Sequence, residues 1–207
     1  YLHSHDTGRC IGPYGKPVDT PNLERFAEEG VLFQQAFCAN PTCSPSRAAL
    51  LTGRAPHNNG MLGLAHRGHE LYDKRAHLAN FLSGHGYETA ITGICHTTKE
   101  DQREIGWQRR LDQETLDVPE NAHWDELKGH RAAAFLAESH EKPFFLSVGF
   151  VQTHRIGPWH NAKHEAYGDP RHAAVPAPLP NTPETRADVA DFAVAVNQLD
   201  RSMGVVL

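Results

Sequence analysis

Five consecutive residues carry the densest chemistry in the chain. In Cys43-Ser44-Pro45-Ser46-Arg47 a nucleophile stands just before a segment that Pro45 opens as a helix. The unpaired N–H groups and positive dipole end of that helix would face any anion held at the cysteine. Arg47, one turn into the helix, can return its guanidinium to the same point. A nucleophile, a helix N-terminus and a fixed cation together describe a site for an oxyanion ester. A lone cysteine beside a helix-start proline is more plainly a buried structural residue. The continuation Ala48-Ala49-Leu50-Leu51-Thr52-Gly53-Arg54 is what makes the string more than that.

Three further clusters could serve such a site. His5-Asp6 leaves what reads as the tail of a strand, and ligands of open α/β sheets gather at strand C-termini. Their donor types could hold a metal, although an ordinary polar strand exit has the same composition. His96 follows a second strand candidate, and alone it would be an ordinary structural histidine. His154-Arg155 follows the most apolar strand candidate. There a histidine can act as a general acid near neutrality and an arginine can bind an anionic substrate, while a solvated strand exit is the plainer alternative.

The elements that must position these groups alternate between helix and strand. Thr20-Pro21 predicts a helix start, with Leu23, Phe26 and Ala27 on one face and Gly30 as its stop. Val31–Phe37 is a short strand candidate, Ser44–Thr52 a helix ended by Gly53, and His77–Ser83 another helix. Tyr87–Cys95 reads as a buried strand, Trp124–Ser139 as a longer helix, and Phe144–Val151 as the strongest strand signal. The stretch 157–183, rich in Pro and His, reads as a long irregular excursion of the kind that tends to be functional. Ala187–Leu207 is helical. Apolar strands separated by helices predict an α/β fold with a mostly parallel central sheet flanked by helices.

Composition narrows the function classes. A formal net charge of -5 in 207 residues, with 22% charged residues, lacks the basic footprint of a nucleic-acid binder. No apolar run approaches the ~20 residues of a membrane span. The four cysteines, Cys10, Cys38, Cys43 and Cys95, form no Cys-x-x-Cys pair, which removes zinc-ribbon and thioredoxin-type motifs. The first residues continue a strand already under way and the last helix stops without a cap. The expectation is an N-terminal portion of a larger catalytic domain, truncated at both ends.

The extended string from Cys43 to Arg54 resembles the signature of the formylglycine-dependent sulfatases of the alkaline-phosphatase-like superfamily. The Asp6-Thr7-Gly8-Arg9 variant and the His-rich loop are similar to its bacterial heparan-sulfatase-like branch. The Cys-to-Arg spacing of three residues is too short for the phosphate loop of protein tyrosine phosphatases. The resemblance implies that Cys43 is oxidised to formylglycine by a formylglycine-generating enzyme. The hydrated aldehyde would attack sulfur, release the alcohol or amine, and then expel sulfate. It further implies Arg47 at the aldehyde hydrate, His96 at the nucleophile's hydroxyl, His154 as the acid and Arg155 as a substrate contact.

A divalent metal, usually calcium, would be held by Asp6, by the residue at position 5 and by residue 43, with the family's later Asp-His/Asn metal pair expected beyond Leu207. His5 stands where the family has the first aspartate of the pair, and Ile94 stands where it has a sulfate-binding lysine; Lys99 is close enough in sequence to substitute, although a solvated side chain is its plainer reading. His160 and His164 could line the cleft. The expected substrate is a sulfated small molecule or glycan, with no nucleic-acid or membrane partner, and family precedent favours export. Two alternatives stay open at this point. One is a phosphoester or phosphonate hydrolase of the same superfamily, the other a non-catalytic fragment or pseudoenzyme.

Overall fold

The computed structural model describes residues 1–99, 101–119, 122–155 and 168–207. The chain divides into two compact units built from interleaved stretches. The first comprises Tyr1–His3, Gln35–Asp117 and Arg131–Gly149, the second Ser4–Gln34, Val118–His130 and Phe150–Leu207.

The first unit is organised by a four-stranded sheet. Its strands are β1 (Leu2–His3), β2 (Glu88–Gly93), β3 (Arg109–Arg110) and β4 (Phe144–Gly149), in the order β1-β4-β2-β3, and every pairing is parallel. In the centre, β2 and β4 run in register from Glu88↔Phe144 to Gly93↔Gly149. Thr89, Ala90, Ile91 and Thr92 are all buried, the unbroken burial expected of a parallel strand covered on both faces.

Successive β4 side chains point to opposite faces, and Phe144 and Phe145 show what covers each. Phe145 stacks on Trp107 at 5.2 Å. It packs against a cluster containing Ala48, Met61, Ala79, Ile91 and Ile105, to which the helices α2 (Cys43–Thr52) and α4 (Leu78–Gly84) contribute. Phe144 instead meets Phe135 edge-on at 5.3 Å, on the last turn of the helix Trp124–Leu136. Gly149 closes β4 where a Cβ would lie 2.3 Å from the Ile94 carbonyl oxygen. Only glycine permits that approach between the β4 end and the loop after β2.

The second unit centres on two helices, α1 (Pro21–Glu29) and α6 (Pro183–Gly204). Asp200 of α6, almost fully buried, accepts hydrogen bonds from the backbone N–H of Asn22 (3.2 Å) and Leu23 (2.8 Å) and from the Asn22 amide (2.8 Å). A carboxylate therefore neutralises the positive N-terminal turn of α1. Thr20 is thereby released from capping, and its hydroxyl accepts from Gly12 N at 2.8 Å instead. The remaining helices are α3 (Pro56–Asn59) in the first unit and α5 (Trp124–Leu136), whose residues up to His130 belong to the second.

Several sequence expectations shift, and the helix expected over Trp124–Ser139 ends at Leu136. Val31–Phe37 forms no strand; Val31, Phe33 and Phe37 are 79%, 68% and 90% exposed, and alternation without a neighbouring strand fixes nothing. Helix α6 begins at Pro183, four residues before Ala187, because the Thr182 hydroxyl accepts from Thr185 N at 3.3 Å. Cys43 is the first residue of α2 instead of preceding it. Of the irregular excursion, residues 157–167 with His160 and His164 lie outside the described residues. The remainder holds a short 3-10 turn, Pro170–His172, and a turn at Ala177–Pro178 in which Leu179 N donates to Pro176 O at 2.9 Å, before Thr182. Among the described residues no helix is long and apolar enough to cross a membrane.

Candidate active site

The first unit carries Cys43, Arg47 and His96. Thr42 precedes α2 in an extended conformation, so the chain enters the helix at Cys43. The Cys43 thiol is free and partly exposed. Below it, the Ser44 hydroxyl accepts from Ala65 N at 3.2 Å, which anchors the first turn. Arg47 is buried, and its guanidinium donates to His3 Nδ1. That bond assigns the His3 proton to Nε2, 3.3 Å from Ser147 Oγ on β4. Tyr1 stacks on His3 at 4.6 Å. Burial pushes the Tyr1 phenol up, while the charge and hydrogen bond of Arg47 pull it down.

Arg47 and His3 line a small cleft with Ile94, Cys95 and Ser147. The position lacking the expected lysine therefore faces a cleft that already holds a fixed cation. Lys99 is exposed.

His96 follows β2 in the left-handed backbone region (φ 58°), which side-chain-bearing residues rarely adopt. Its neighbours hold it there. Ile94 N donates to Gly149 O at 2.9 Å, and the Thr97 hydroxyl lies 3.2 Å from Cys95 Sγ and 3.3 Å from His77 Nε2. His77 Nδ1 accepts from Ala79 N at 3.2 Å, so the proton sits on Nε2 and is donated to Thr97. Burial lowers His77 from 6.5 to about 4, which keeps it neutral in this bridging role.

The second unit carries His5, Asp6, His154 and Arg155. One potential ligand atom from each of His5, Asp6 and His154 lies within 4.8 Å of the others. The His5 and His154 rings stack at 5.1 Å, and Asp6 Oδ2 accepts from His154 Nδ1 at 2.7 Å. The scaffold around them is closely bonded. His5 O accepts from Thr153 N (2.8 Å), Thr153 Oγ1 (2.9 Å) and Thr7 Oγ1 (3.1 Å), while His5 N donates to Gln152 O (3.1 Å). Asp6 is the other side-chain-bearing residue with positive φ among the described residues (54°, beside His96). Such conformations persist where their surroundings over-determine them and concentrate at functional sites.

Behind the loop, the fully buried Asp125 accepts from Val151 N at 3.0 Å and Gln152 N at 2.7 Å, and pairs with Lys128 at 2.5 Å. Arg155 makes a forked pair with Asp188 at 3.0 and 3.3 Å.

The string at Cys43 gains its meaning from comparison with known proteins. The model of the Sulfatase family matches residues 8–206. The chain belongs to the sulfatase family. Its sequence is 33% identical to human N-sulphoglucosamine sulphohydrolase, over 100% of this chain and 45% of that protein. In fold it is similar to Ps i-CgsB solved with k-i-k-neocarrahexaose (TM-score 0.69, 22% identity), across 99% of this chain and 52% of that one. It is similar as well to BT4656 solved with its substrate D-glucosamine-2-N,6-O-disulfate (TM-score 0.59, 24% identity), across 84% and 36%. The chain thus spans about half, or less, of these relatives' lengths. The parallel sheet flanked by helices is the alkaline-phosphatase-like fold of the sulfatases.

The donors at positions 5 and 6 depart from the aspartate pair that the resemblance implies. A free, partly exposed Cys43 at the start of a helix fits a residue to be converted to formylglycine. Among the donors that this chain contributes, the calcium expected from the resemblance fits less well, since calcium takes six to eight oxygen ligands and two of the three clustered donors are imidazoles. Cys43, the remaining implied ligand, belongs to the first unit. His154, expected only as an acid, joins His5 and Asp6. Sequence reasoning missed His3, His77 and Asp125. The alternation of Tyr1 and His3 on one strand face was a usable signal for His3. None marked Asp125.

Proposed function

We propose that the protein containing this chain hydrolyses sulfate esters or sulfamates on a sulfated carbohydrate, and that these residues form the N-terminal portion of its catalytic domain. The observation that carries this reading is the family match across residues 8–206, with the Cys43–Arg47 string at the head of α2 and its arginine buried. The sulfamate-cleaving name of the human relative and the glucosamine disulfate bound to BT4656 support an amino-sugar substrate carrying sulfate.

Converted to formylglycine by a generating enzyme, residue 43 would supply a hydrated aldehyde as the oxygen nucleophile toward sulfur. The other roles fall to side chains in their present settings. Arg47, fixed by His3, offers a permanent positive charge one turn from residue 43, where negative charge would develop. His96 would contact the nucleophile's hydroxyl. His154 donates its Nδ1 proton to Asp6, so Nε2 is the nitrogen from which the leaving oxygen or nitrogen would be protonated. Arg155 is a substrate contact in this proposal: its pair with Asp188 is half-exposed on both sides, and such pairs are worth only about 0–1 kcal/mol, so a sulfate group can exchange for it. The misfit of calcium leaves the metal outside these steps.

Co-expression with a formylglycine-generating enzyme, followed by mass spectrometry of the Cys43 peptide, tests the proposal. Conversion of thiol to aldehyde is expected, and full retention of the thiol overturns it. Aryl sulfate and aryl phosphate assayed side by side with the full-length protein then separate the two hydrolase classes. Dominant phosphate turnover refutes the sulfatase assignment.

A further inference from the structure

We infer that His5, Asp6 and His154 form a chelating site selective for a borderline divalent ion of the zinc, cobalt or nickel class. The donors determine this selectivity. Two imidazoles and one carboxylate, with potential ligand atoms within 4.8 Å of one another, match the mixed nitrogen–oxygen sets that such ions take with three protein ligands and an open position. Calcium affinity grows with the number of anionic oxygens, and this cluster offers a single carboxylate.

The cluster is also assembled before any ion arrives. His5 is buried, and its carbonyl is fixed by three hydrogen bonds from Thr7 and Thr153. Residues 151–152 are fixed by Asp125, and Asp6 is turned toward His154 by its left-handed backbone. A site whose ligands are ordered beforehand loses less free energy on binding. Arg155, the adjacent cation, is engaged by Asp188.

One consequence rests on the function proposed above. An ion holding His154 takes the group that would protonate the leaving atom, so micromolar zinc or cobalt would inhibit hydrolysis that calcium leaves untouched. The binding claim itself needs no turnover and is tested on the full-length protein.

Metal-free protein would be titrated with Co2+ and followed by its visible d–d absorption, then challenged with Zn2+ and, separately, with excess Ca2+. The expected result is a saturable cobalt signal that zinc displaces and calcium does not. Losing only a supporting partner of a ligand weakens metal sites by about 10–100-fold. His154→Gln, at an exposed position, should therefore weaken cobalt binding at least that much, and His5→Asn likewise. Thermal melts would confirm that both variants are folded, and the His154 variant carries the test if the buried His5 change unfolds the chain. Displacement of cobalt by calcium overturns the inference. So does a near-ultraviolet thiolate-to-cobalt band, or a signal unchanged by His154→Gln. If cobalt binds as expected but added zinc leaves the full-length enzyme's rate unaltered, the acid role of His154 fails and the metal site stands.

Discussion

Asp125→Ala is the most demanding test of how the second unit holds its candidate residues. Asp125 is fully buried and meets three donors: Lys128 Nζ at 2.5 Å, Val151 N at 3.0 Å and Gln152 N at 2.7 Å. Truncation leaves a buried ammonium without this partner and deprives two buried backbone N–H groups of their acceptor. Breaking one side of a buried pair costs about 3–5 kcal/mol, and each orphaned N–H about 1–3 kcal/mol. The terms overlap because one carboxylate serves all three donors, so a loss of about 4 kcal/mol is expected. At about 2–4 °C per kcal/mol for a chain of this size, Tm should fall by roughly 8–16 °C.

Urea denaturation followed by circular dichroism measures the loss directly, with an unchanged slope showing that stability alone has moved. Lys128→Met separates the contributions. It removes the ammonium but leaves the carboxylate accepting both amides, and it should cost about 2 kcal/mol, the value of one charge-assisted hydrogen bond. If Asp125→Ala costs less than about 1 kcal/mol, the carboxylate does not hold residues 151–152 and its assignment as the anchor of the loop bearing His154 fails.

Two further perturbations address the first unit and the helix pair. His77 is held neutral with its pKa lowered from 6.5 to about 4, so the unfolded chain binds a proton there that the folded chain refuses. Its contribution is complete above pH 6.5 and declines as pH falls toward 4, by about 3 kcal/mol at 1.36 kcal/mol per pKa unit. Stability measured across that window should therefore fall less steeply in His77→Asn, by about this difference; parallel profiles would refute the assignment. In the second unit, Asp200→Ala removes the acceptor for Asn22 N and Leu23 N. It should cost about 2 kcal/mol, the upper range for a helix cap, with faster amide exchange at those two residues; unchanged exchange there would show that α1 is capped otherwise.

The parts of the fold that could be read from sequence are those whose signal is local. The apolar run after Lys142-Pro143 and the Tyr87–Cys95 stretch announce buried parallel strands because a central strand must be apolar on both faces, and β4 and β2 lie there. Val31–Phe37 has a similar local appearance and forms no strand, because strand pairing depends on a neighbour that local composition cannot supply. Thr20-Pro21 and Thr182-Pro183 illustrate the same limit from the other side. Both pairs stand immediately before a helix, yet only Thr182 bonds the following turn. At Thr20 the job is done by Asp200, almost the whole chain away, and the threonine is used elsewhere.

The candidate site divides along the same line. Cys43 and Arg47 were legible because nucleophile, helix start and cation are consecutive residues of one element. His3, which orients Arg47, and Asp125, which orients the loop of His154, act across long sequence separations and have ordinary local surroundings. His5 is the instructive case between them. Its type alone already told against calcium, because an imidazole is a poor ligand for a cation that selects oxygen. What residue type could not supply was the partner that turns a misfit into a different site. The hydrogen bonds from Thr153 to the His5 carbonyl and from His154 to Asp6 bring a second imidazole to the first. With His154 beside it, His5 gives the proposed cluster two imidazoles to one carboxylate.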